Sequence, residues 1–262
     1  MNTTLIITTY NWPEALDLVM ESTTKQSIMP DQIIIADDGS GQETIDVVQA
    51  WQEKHPGSVI HCWQDDLGFR LSKSRNNAIA QATGDYIIMI DGDMVLHKHF
   101  IRDHLRFAEK GYFVQGWRTM LTATGSQDLL ASRKTPTLFS PAIKDLKNRT
   151  YSISLYWLQL LAVGRKTSIG GTKGCNMAFW RQDVLDVNGF NQDFEGWGKE
   201  DNEFAQRMKN AGILRKRLRH GGVAFHLFHE ESSRAMSAYN ATLLNQTKDK
   251  GLIRCSNGIV SE

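Results

Sequence analysis

Asp85-Tyr86-Ile87-Ile88-Met89-Ile90-Asp91-Gly92-Asp93 is the stretch on which the fold turns. Residues 85–90 read as a strand that is apolar without alternation, as expected of a central parallel strand buried on both faces. It runs directly into two carboxylates separated by a glycine. Outward from it, a helix is predicted from Ser72 to Ala82, closed by Thr83-Gly84. Nearer the start, Leu5 to Thr9 reads as a strand, Pro13 to Gln26 as a helix, and Gln32 to Ala36 as a second buried strand. That strand ends in the turn-forming cluster Asp37-Asp38-Gly39-Ser40-Gly41. A helix from about Glu43 to Lys54 and a short strand at Val59-Ile60-His61 complete a β-α-β-α-β run, which predicts a mainly parallel sheet covered by helices. Ligands of open parallel sheets bind outside the carboxyl ends of the strands. Thr8-Thr9-Tyr10-Asn11, Asp37-Asp38-Gly39-Ser40 and Asp91-Gly92-Asp93 all fall there.

Beyond about residue 115 the pattern is irregular. Thr122 to Thr150 reads as loops or short elements, a second ordered segment begins near Gly170, and a helix is expected from about Lys199 to Ala211. No internal repeat or linker divides the 262 residues, so a single domain is expected. Hydrophobic residues at 41% and charged residues at 23% exclude a disordered or fibrous chain. A formal charge of +1 leaves no large field for nucleic acid, and the local run Arg215-Lys216-Arg217 with Arg219 and His220 reads as a solvated face. Cys62, Cys175 and Cys255 have no zinc-like or disulfide-framework spacing and fit core or surface thiols in a reducing compartment. The N-terminus lacks the pattern of a signal peptide, so a cytoplasmic location is expected. The apolar run Ile153 to Val163 is about half the roughly 20 residues needed to cross a bilayer; it suits contact with a membrane surface, not a span.

Asp91 and Asp93, two residues apart at a strand end, suit a hard divalent cation that bridges a diphosphate, and Gly92 lets the backbone come close to the ligand. Carboxylates at Asp37 and Asp38 can accept hydrogen bonds from a base or a ribose hydroxyl. Taken singly, each is matched by an ordinary acidic turn.

In order and spacing, ITTYN, IIIADDGS and GFRLSKSRNNAIAQATGDYIIMIDGDM resemble the nucleotide-binding half of family 2 glycosyltransferases. The resemblance implies a GT-A fold with a nucleotide-sugar half at 1–115 and an acceptor half at 116–262. It places Thr8, Tyr10 and Asn11 in the nucleotide pocket, Asp38 facing the base, Arg75 against the nucleotide or its diphosphate, Asp91 and Gly92 near the ribose, and Asp93 on the metal. A guanidinium beside a diphosphate makes a charge-assisted contact; the bland alternative for Arg75 is a helix-surface residue.

The later segments Gly174-Cys175-Asn176-Met177-Ala178-Phe179 and Gly189 to Phe204, with Gly196-Trp197-Gly198-Lys199-Glu200-Asp201 at its heart, resemble the C-terminal part of β4-galactosyltransferases and bacterial chondroitin-type polymerases. Lys199 stands where that pattern has a second glycine. An indole between glycines can close over a sugar face, and carboxylates at a helix N-terminus are favoured in ionised form. An inverting transfer needs one base, which makes Asp201 the expected base with Glu200 beside it. Asn176 and Trp197 are expected to contact the sugar, which is left open among Glc, Gal, GlcNAc and GalNAc.

The resemblance also supplies a metal-binding histidine downstream, matched best by His226, with His229 as the alternative. If the segment is a strand, the two rings lie on opposite faces and only one can serve. Imidazole beside a carboxylate suits manganese better than magnesium.

The expected activity is transfer of a hexose or N-acetylhexosamine from a UDP-sugar to a glycan or lipid-linked glycan, in lipopolysaccharide or capsule assembly, with peripheral contact at the inner membrane and no nucleic-acid partner. The rivals are a nucleotidyltransferase, which calls for a glycine-rich basic loop after the first strand, and a non-catalytic glycan-binding domain.

Overall fold

Strand propensity and two-sided burial carry the N-terminal half of the chain into a sheet. The computed structural model describes residues 1–162, 164–166, 168–230 and 233–261. Its first elements are β1 (Thr3–Thr9), α1 (Pro13–Thr24), β2 (Gln32–Asp37), α2 (Gln42–Lys54), β3 (Val59–Trp63), α3 (Leu71–Gln81) and β4 (Tyr86–Asp91). β5 (Met94–Leu96), α4 (Phe100–Arg106), β6 (Tyr112–Gln115) and β7 (Thr119–Met120) follow, then α5 (Ala123–Ser132), α6 (Leu146–Tyr151) and α7 (Tyr156–Ala162). The last are β8 (Gly164–Lys166), β9 (Asn176–Trp180), α8 (Arg181–Asp186), α9 (Glu200–Asn210), β10 (Leu214–Arg217), β11 (Ala224–His226) and α10 (Ser237–Asp249).

One sheet has the order β3-β2-β1-β4-β9-β6-β10-β8 and a smaller one the order β5-β11-β7. β1 pairs in parallel with both β2 and β4, and β3 with β2, as the alternation of elements requires. β9 enters antiparallel between β4 and β6. β4 is buried on both faces: Tyr86, Ile88 and Ile90 join the core layer beneath α1 and α2, while Ile87 and Met89 join the one beneath α3 and α9. Removing each of these isoleucines from water contributes at most roughly 1.5–3 kcal/mol.

The expected loop region at 122–150 contains two helices, each begun by a side-chain cap. Thr122 accepts from the Gly125 N–H and Asp145 from the Asn148 N–H, the usual means of satisfying a helix's first donors. Of the apolar run at 153–163, residues 156–162 form α7, and Val163 lies outside the described residues.

Two residues of the basic run do not face solvent, although Arg219 does. Arg215 and Lys216, on successive positions of β10, are 2% and 4% exposed and point to opposite sides of a strand that lies inside the sheet. Among the described residues Arg215 has no carboxylate partner there. Its guanidinium donates to the Gln115 side chain, Thr172 Oγ1 and the carbonyls of Ser168, Ile169 and Gly170, so it holds the 168–172 segment in place. Burial lowers its pKa to about 10, which still leaves it charged at neutral pH. Lys216 reaches the Phe107 carbonyl and Glu109.

Arg215→Ala is expected to lower the unfolding free energy by about 2–4 kcal/mol, because several buried carbonyls lose a charged donor together. Urea denaturation reads this directly. A loss below about 0.5 kcal/mol, typical of a surface residue, would restore the solvated-face reading.

Candidate active site

Strand register brings the sequence motifs together. Thr8 lies opposite Asp91, and Thr9 opposite Asp37, so the ends of β1, β2 and β4 form one edge. The Gly92 N–H donates to the Thr8 carbonyl at 2.6 Å, and a Cβ at residue 92 would sit 2.7 Å from that oxygen, so the backbone turn admits only glycine. β9 runs the other way, with Asn176 opposite Ile90, which delivers Gly174 and Cys175 to the same edge.

Arg75 is the centre of this edge. It projects from α3, is 1% exposed, and places Nη2 3.2 Å from Asp91 Oδ1 and Nη1 3.3 Å from Glu200 Oε1. It is therefore no helix-surface residue. Nor do its terminal nitrogens face open solvent, as a direct diphosphate contact would require; they are committed to two carboxylates. A Cβ at Gly174 would come within 2.8 Å of Arg75 Nη2, so the backbone passes the guanidinium closely because it has no side chain there. Thr8 Oγ1 also reaches Asp91 Oδ1, at 3.1 Å, so both contacts to Asp91 fall on one oxygen of a side chain still 31% exposed.

Glu200 and Asp201 open α9, as expected. Asp201 Oδ2 accepts from the Gly174 N–H at 2.9 Å and Oδ1 from Asn202 Nδ2. Burial raises the pKa of both carboxyls, and for Glu200 the neighbouring Asp201 adds to it, carrying it to about 7 despite the opposing pull of Arg75. Two carboxyls raised above the ordinary carboxylate range beside a cation are poised for proton transfer.

Asp93 leads into the small sheet, where β11 pairs antiparallel with β5 so that His226 faces Met94 and the Leu227 N–H reaches the Asp93 carbonyl. Both histidines converge on Asp93 Oδ2, His226 Nε2 at 3.3 Å and His229 Nε2 at 3.2 Å. The expectation that only one ring can serve fails because β11 ends at His226, so strand alternation does not govern His229. One ligand atom from each of the three residues lies within 4.8 Å of the others, and Asp93 Oδ1 is buried without a hydrogen-bond partner. One carboxylate and two imidazoles with an unsatisfied buried oxygen suit a borderline divalent ion such as manganese.

The nucleotide side is built partly as expected. Tyr10 is half exposed, with its hydroxyl 3.0 Å from Asp66 Oδ2. Asn11 takes a positive φ of 45°, its side chain accepting from the Gly41 N–H and its N–H donating to Ser40. Asp38 is buried, and its oxygens accept from the Arg70 N–H and Gln64 Nε2, so part of its acceptor capacity is spent on fixing the 64–70 loop. Against Gly39, at φ 95°, a Cβ would meet the Asp66 backbone at 2.5 Å.

Asn176 departs from its expected place. It is 1% exposed, accepts a hydrogen bond from His104 Nε2 on its side-chain oxygen, and donates to the carbonyls of Trp117 and Gly222. All its polar atoms have protein partners, so it ties β9 to the start of β11 and offers nothing to a sugar. Trp197 is 42% exposed between Gly196 and Gly198, both at positive φ, and Lys199 follows at φ 77°, a conformation that favours the glycine of the related pattern. Two participants carried no motif. Arg118 places Nη1 3.3 Å from His226 Nε2, and Asn240 of α10 clamps the tryptophan loop by donating to the carbonyls of Glu195 and Gly198.

Comparison with known proteins agrees with this geometry. The model of glycosyl transferase family 2 matches residues 4–183, and a second, described as the N-terminal domain of galactosyltransferase, matches residues 159–230. Chondroitin synthase of Pasteurella multocida is 27% identical over 244 residues, covering 85% of this chain and 24% of that protein. Validoxylamine A glucosyltransferase of Streptomyces hygroscopicus is 22% identical over 231 residues, covering 80% of this chain and 48% of that one. The chain thus spans between about a quarter and half of these two relatives. Among solved structures, S. aureus TarS in complex with UDP superposes with a TM-score of 0.65 at 15% identity, over 96% of this chain and 70% of that one. Mannosyltransferase PcManGT of Pyrobaculum calidifontis, solved with GDP-Man and Mn2+, gives 0.58 at 14%, over 96% and 72%. The fold is that of GT-A glycosyltransferases.

Manganese binding at Asp93, His226 and His229 is expected to release a proton at neutral pH. The hydrogen bond to Asp93 raises the His229 pKa to about 9, so the free imidazole is cationic and must deprotonate to become a ligand. Affinity should therefore rise with pH up to about 9. Calorimetry in buffers of differing ionisation enthalpy measures the released proton, and pH-independent binding without proton release would exclude His229 from the site.

Proposed function

The chain belongs to glycosyl transferase family 2 and is a glycosyltransferase, and from that footing we propose that it transfers a hexose or N-acetylhexosamine from a UDP-sugar to a glycan hydroxyl, with inversion and with a divalent metal. Nucleotidyl transfer and a non-catalytic glycan-binding role are set aside by the family. The observation that carries the reading is the convergence, at one set of strand ends, of three residues able to hold a metal ion and a pair of buried carboxyls with raised pKa values beside Arg75. The halves 1–115 and 116–262 then serve the nucleotide sugar and the acceptor.

Asp201 takes the proton of the attacking hydroxyl, held in position by the Gly174 N–H and Asn202. Glu200, paired with Arg75, orients the acceptor. A divalent ion on Asp93, His226 and His229, manganese ahead of magnesium, would neutralise charge on the departing diphosphate. Arg75 fixes Asp91 and Glu200 relative to each other, and the exposed oxygen of Asp91 is left to the ribose. Tyr10, Asn11 and Asp38 bound the nucleotide end. One relative is an undecaprenyl-phosphate 4-deoxy-4-formamido-L-arabinose transferase, 31% identical over 115 residues, which supports a lipid-linked acceptor. Among the described residues no helix is long and apolar enough to cross a membrane. We place the protein in the cytoplasm at the inner face of the membrane, in lipopolysaccharide or capsule assembly.

Asp201→Asn is expected to keep UDP–manganese affinity and lose about a hundred- to ten-thousand-fold in kcat, since it removes the proton acceptor and preserves shape. Glu200→Gln should affect acceptor KM at least as much as turnover. If Asp201→Asn kept near-full kcat while Glu200→Gln lost it, the base would be Glu200. In the wild type, the acid limb of kcat/KM should lie above the ordinary carboxylate range, because the base acts ionised and burial has raised both carboxyls of the pair. A limb near the ordinary carboxylate value would remove the pair from proton transfer.

Product stereochemistry tests the mechanism separately. With an α-linked UDP-hexose donor, one base and direct displacement give a β-linkage, which product NMR reads from the anomeric coupling. An α-linkage would rule out inversion.

A further inference from the structure

α7 is amphipathic in the opposite sense to a helix that covers a core. Its one buried residue is polar: Gln159, 0% exposed, donates to Asp103 Oδ2 at 3.2 Å. The Gln159 side chain also lies against Gly221, where a Cβ would come within 2.6 Å. At the helix start, the Leu155 N–H donates to the His220 carbonyl. The apolar residues face outward, Leu161 at 85% and Trp157 at 74% exposed, with Leu155, Tyr156, Leu158 and Leu160 also exposed. Single exposed leucines are ordinary, but six apolar side chains within seven residues mark a surface that something covers.

The approach to this helix names the occupant. Between residues 131 and 162 stand Arg133, Lys134, Lys144, Lys147 and Arg149 against a single acid, Asp145. Arg133 is spent on Asp17 and Glu21. Lys134, Lys144 and Lys147 are exposed, and so is Leu146 between the last two. Exposed tryptophan and leucine preceded in the chain by exposed lysines are the chemistry of a segment that lies in a membrane interface and is attracted by anionic headgroups. A second copy of this chain would bring an equally basic stretch, which gains nothing from meeting this one. The geometry points to α7 and its basic approach as a docking surface for a bilayer with anionic lipids, Trp157 and Leu161 entering the boundary between headgroups and acyl chains. The surface is joined to the metal cluster through His220, Gly221 and Gly222, which lead into β11 and His226. This deepens the membrane location proposed above by naming the surface that makes the contact, and it does not require the transfer chemistry.

Co-sedimentation with vesicles of phosphatidylcholine, with and without phosphatidylglycerol, tests it on the full chain. Expected are binding to the anionic vesicles at physiological salt, little to phosphatidylcholine alone, and weakening as salt rises. The pair Trp157→Glu with Leu161→Glu, and separately Lys144→Glu with Lys147→Glu, should each weaken binding roughly tenfold or more. UDP–manganese affinity should be unchanged in both, which also reports that they fold. The inference is overturned if the wild type does not sediment with anionic vesicles, or if Trp157→Glu with Leu161→Glu binds as tightly as the wild type. It is equally overturned if that pair instead dissolves a dimer seen by ultracentrifugation, since a second copy would then be the occupant. Vesicle binding without UDP–manganese binding would count against the transfer reading and leave this one standing.

Discussion

The guanidinium of Arg75, held between Asp91 and Glu200 with almost no access to water, is the constraint on which the site depends. A lone buried cation would be strongly unfavourable, and so would three carboxyls gathered without one. Together they lock three separate parts of the chain: α3, the end of β4 and the start of α9. The close passage of Gly174 adds β9 to this set. The single cation does not offset all the acids around it, and the carboxyls of Glu200 and Asp201 stay raised by burial. A carboxyl raised by burial is, once ionised, a stronger proton acceptor than an ordinary carboxylate, which is what the proposed transfer asks of Asp201.

Asp91 and Asp93 look equivalent in sequence and do different work because the chain changes sheets between them. Asp91 is the last residue of β4 in the eight-stranded sheet, while Asp93 precedes β5 in the three-stranded one. The first therefore faces Arg75 and Thr8, and the second faces the histidines delivered by β11. Gly92 makes the transfer possible by bringing its backbone against the Thr8 carbonyl, where any side chain would collide. The strand-end edge at Asp91 and the Asp93–His226–His229 cluster are thus one peptide turn apart.

Much of the first half was legible because its signals are local. Unbroken apolar strands predicted two-sided burial, and β1, β2 and β4 appear with boundaries within two residues of those expected. The acidic ends of the strands could be placed because parallel register follows from topology. What the sequence hid depends on contacts between distant segments. Asn176 reads as a site residue until His104, Trp117 and Gly222 occupy its amide. His226 and His229 read as alternatives until the end of β11 frees the second from strand alternation. Arg118 and Asn240 have no motif around them, and only the fold puts one beside the metal cluster and the other across the tryptophan loop. For α5 and α6 the signal existed: Thr122 and Asp145 are capping residues set in a stretch whose polarity concealed the helices.

Charge and apolarity alone do not say which way a segment faces, and two stretches of this chain show why. Arg215 and Lys216 look like surface lysines and arginines in sequence, but a strand position inside the sheet forces them inward, where backbone carbonyls take up the guanidinium. The apolar run 155–161 reads as suited to a membrane surface, and in the fold its polar residue is the one that turns in. The reason lies in α4, where Asp103 is 0% exposed and must be satisfied; Arg102, Ser154, Gln159 and the Gly222 N–H all serve it. An unsatisfied buried carboxylate costs more than the exposure of a few leucines, so the Gln159 contact fixes the rotation of α7 and the apolar side is left facing out. Periodicity reveals that a helix has two unlike faces; the strongest polar demand of its neighbours decides which of them the protein keeps.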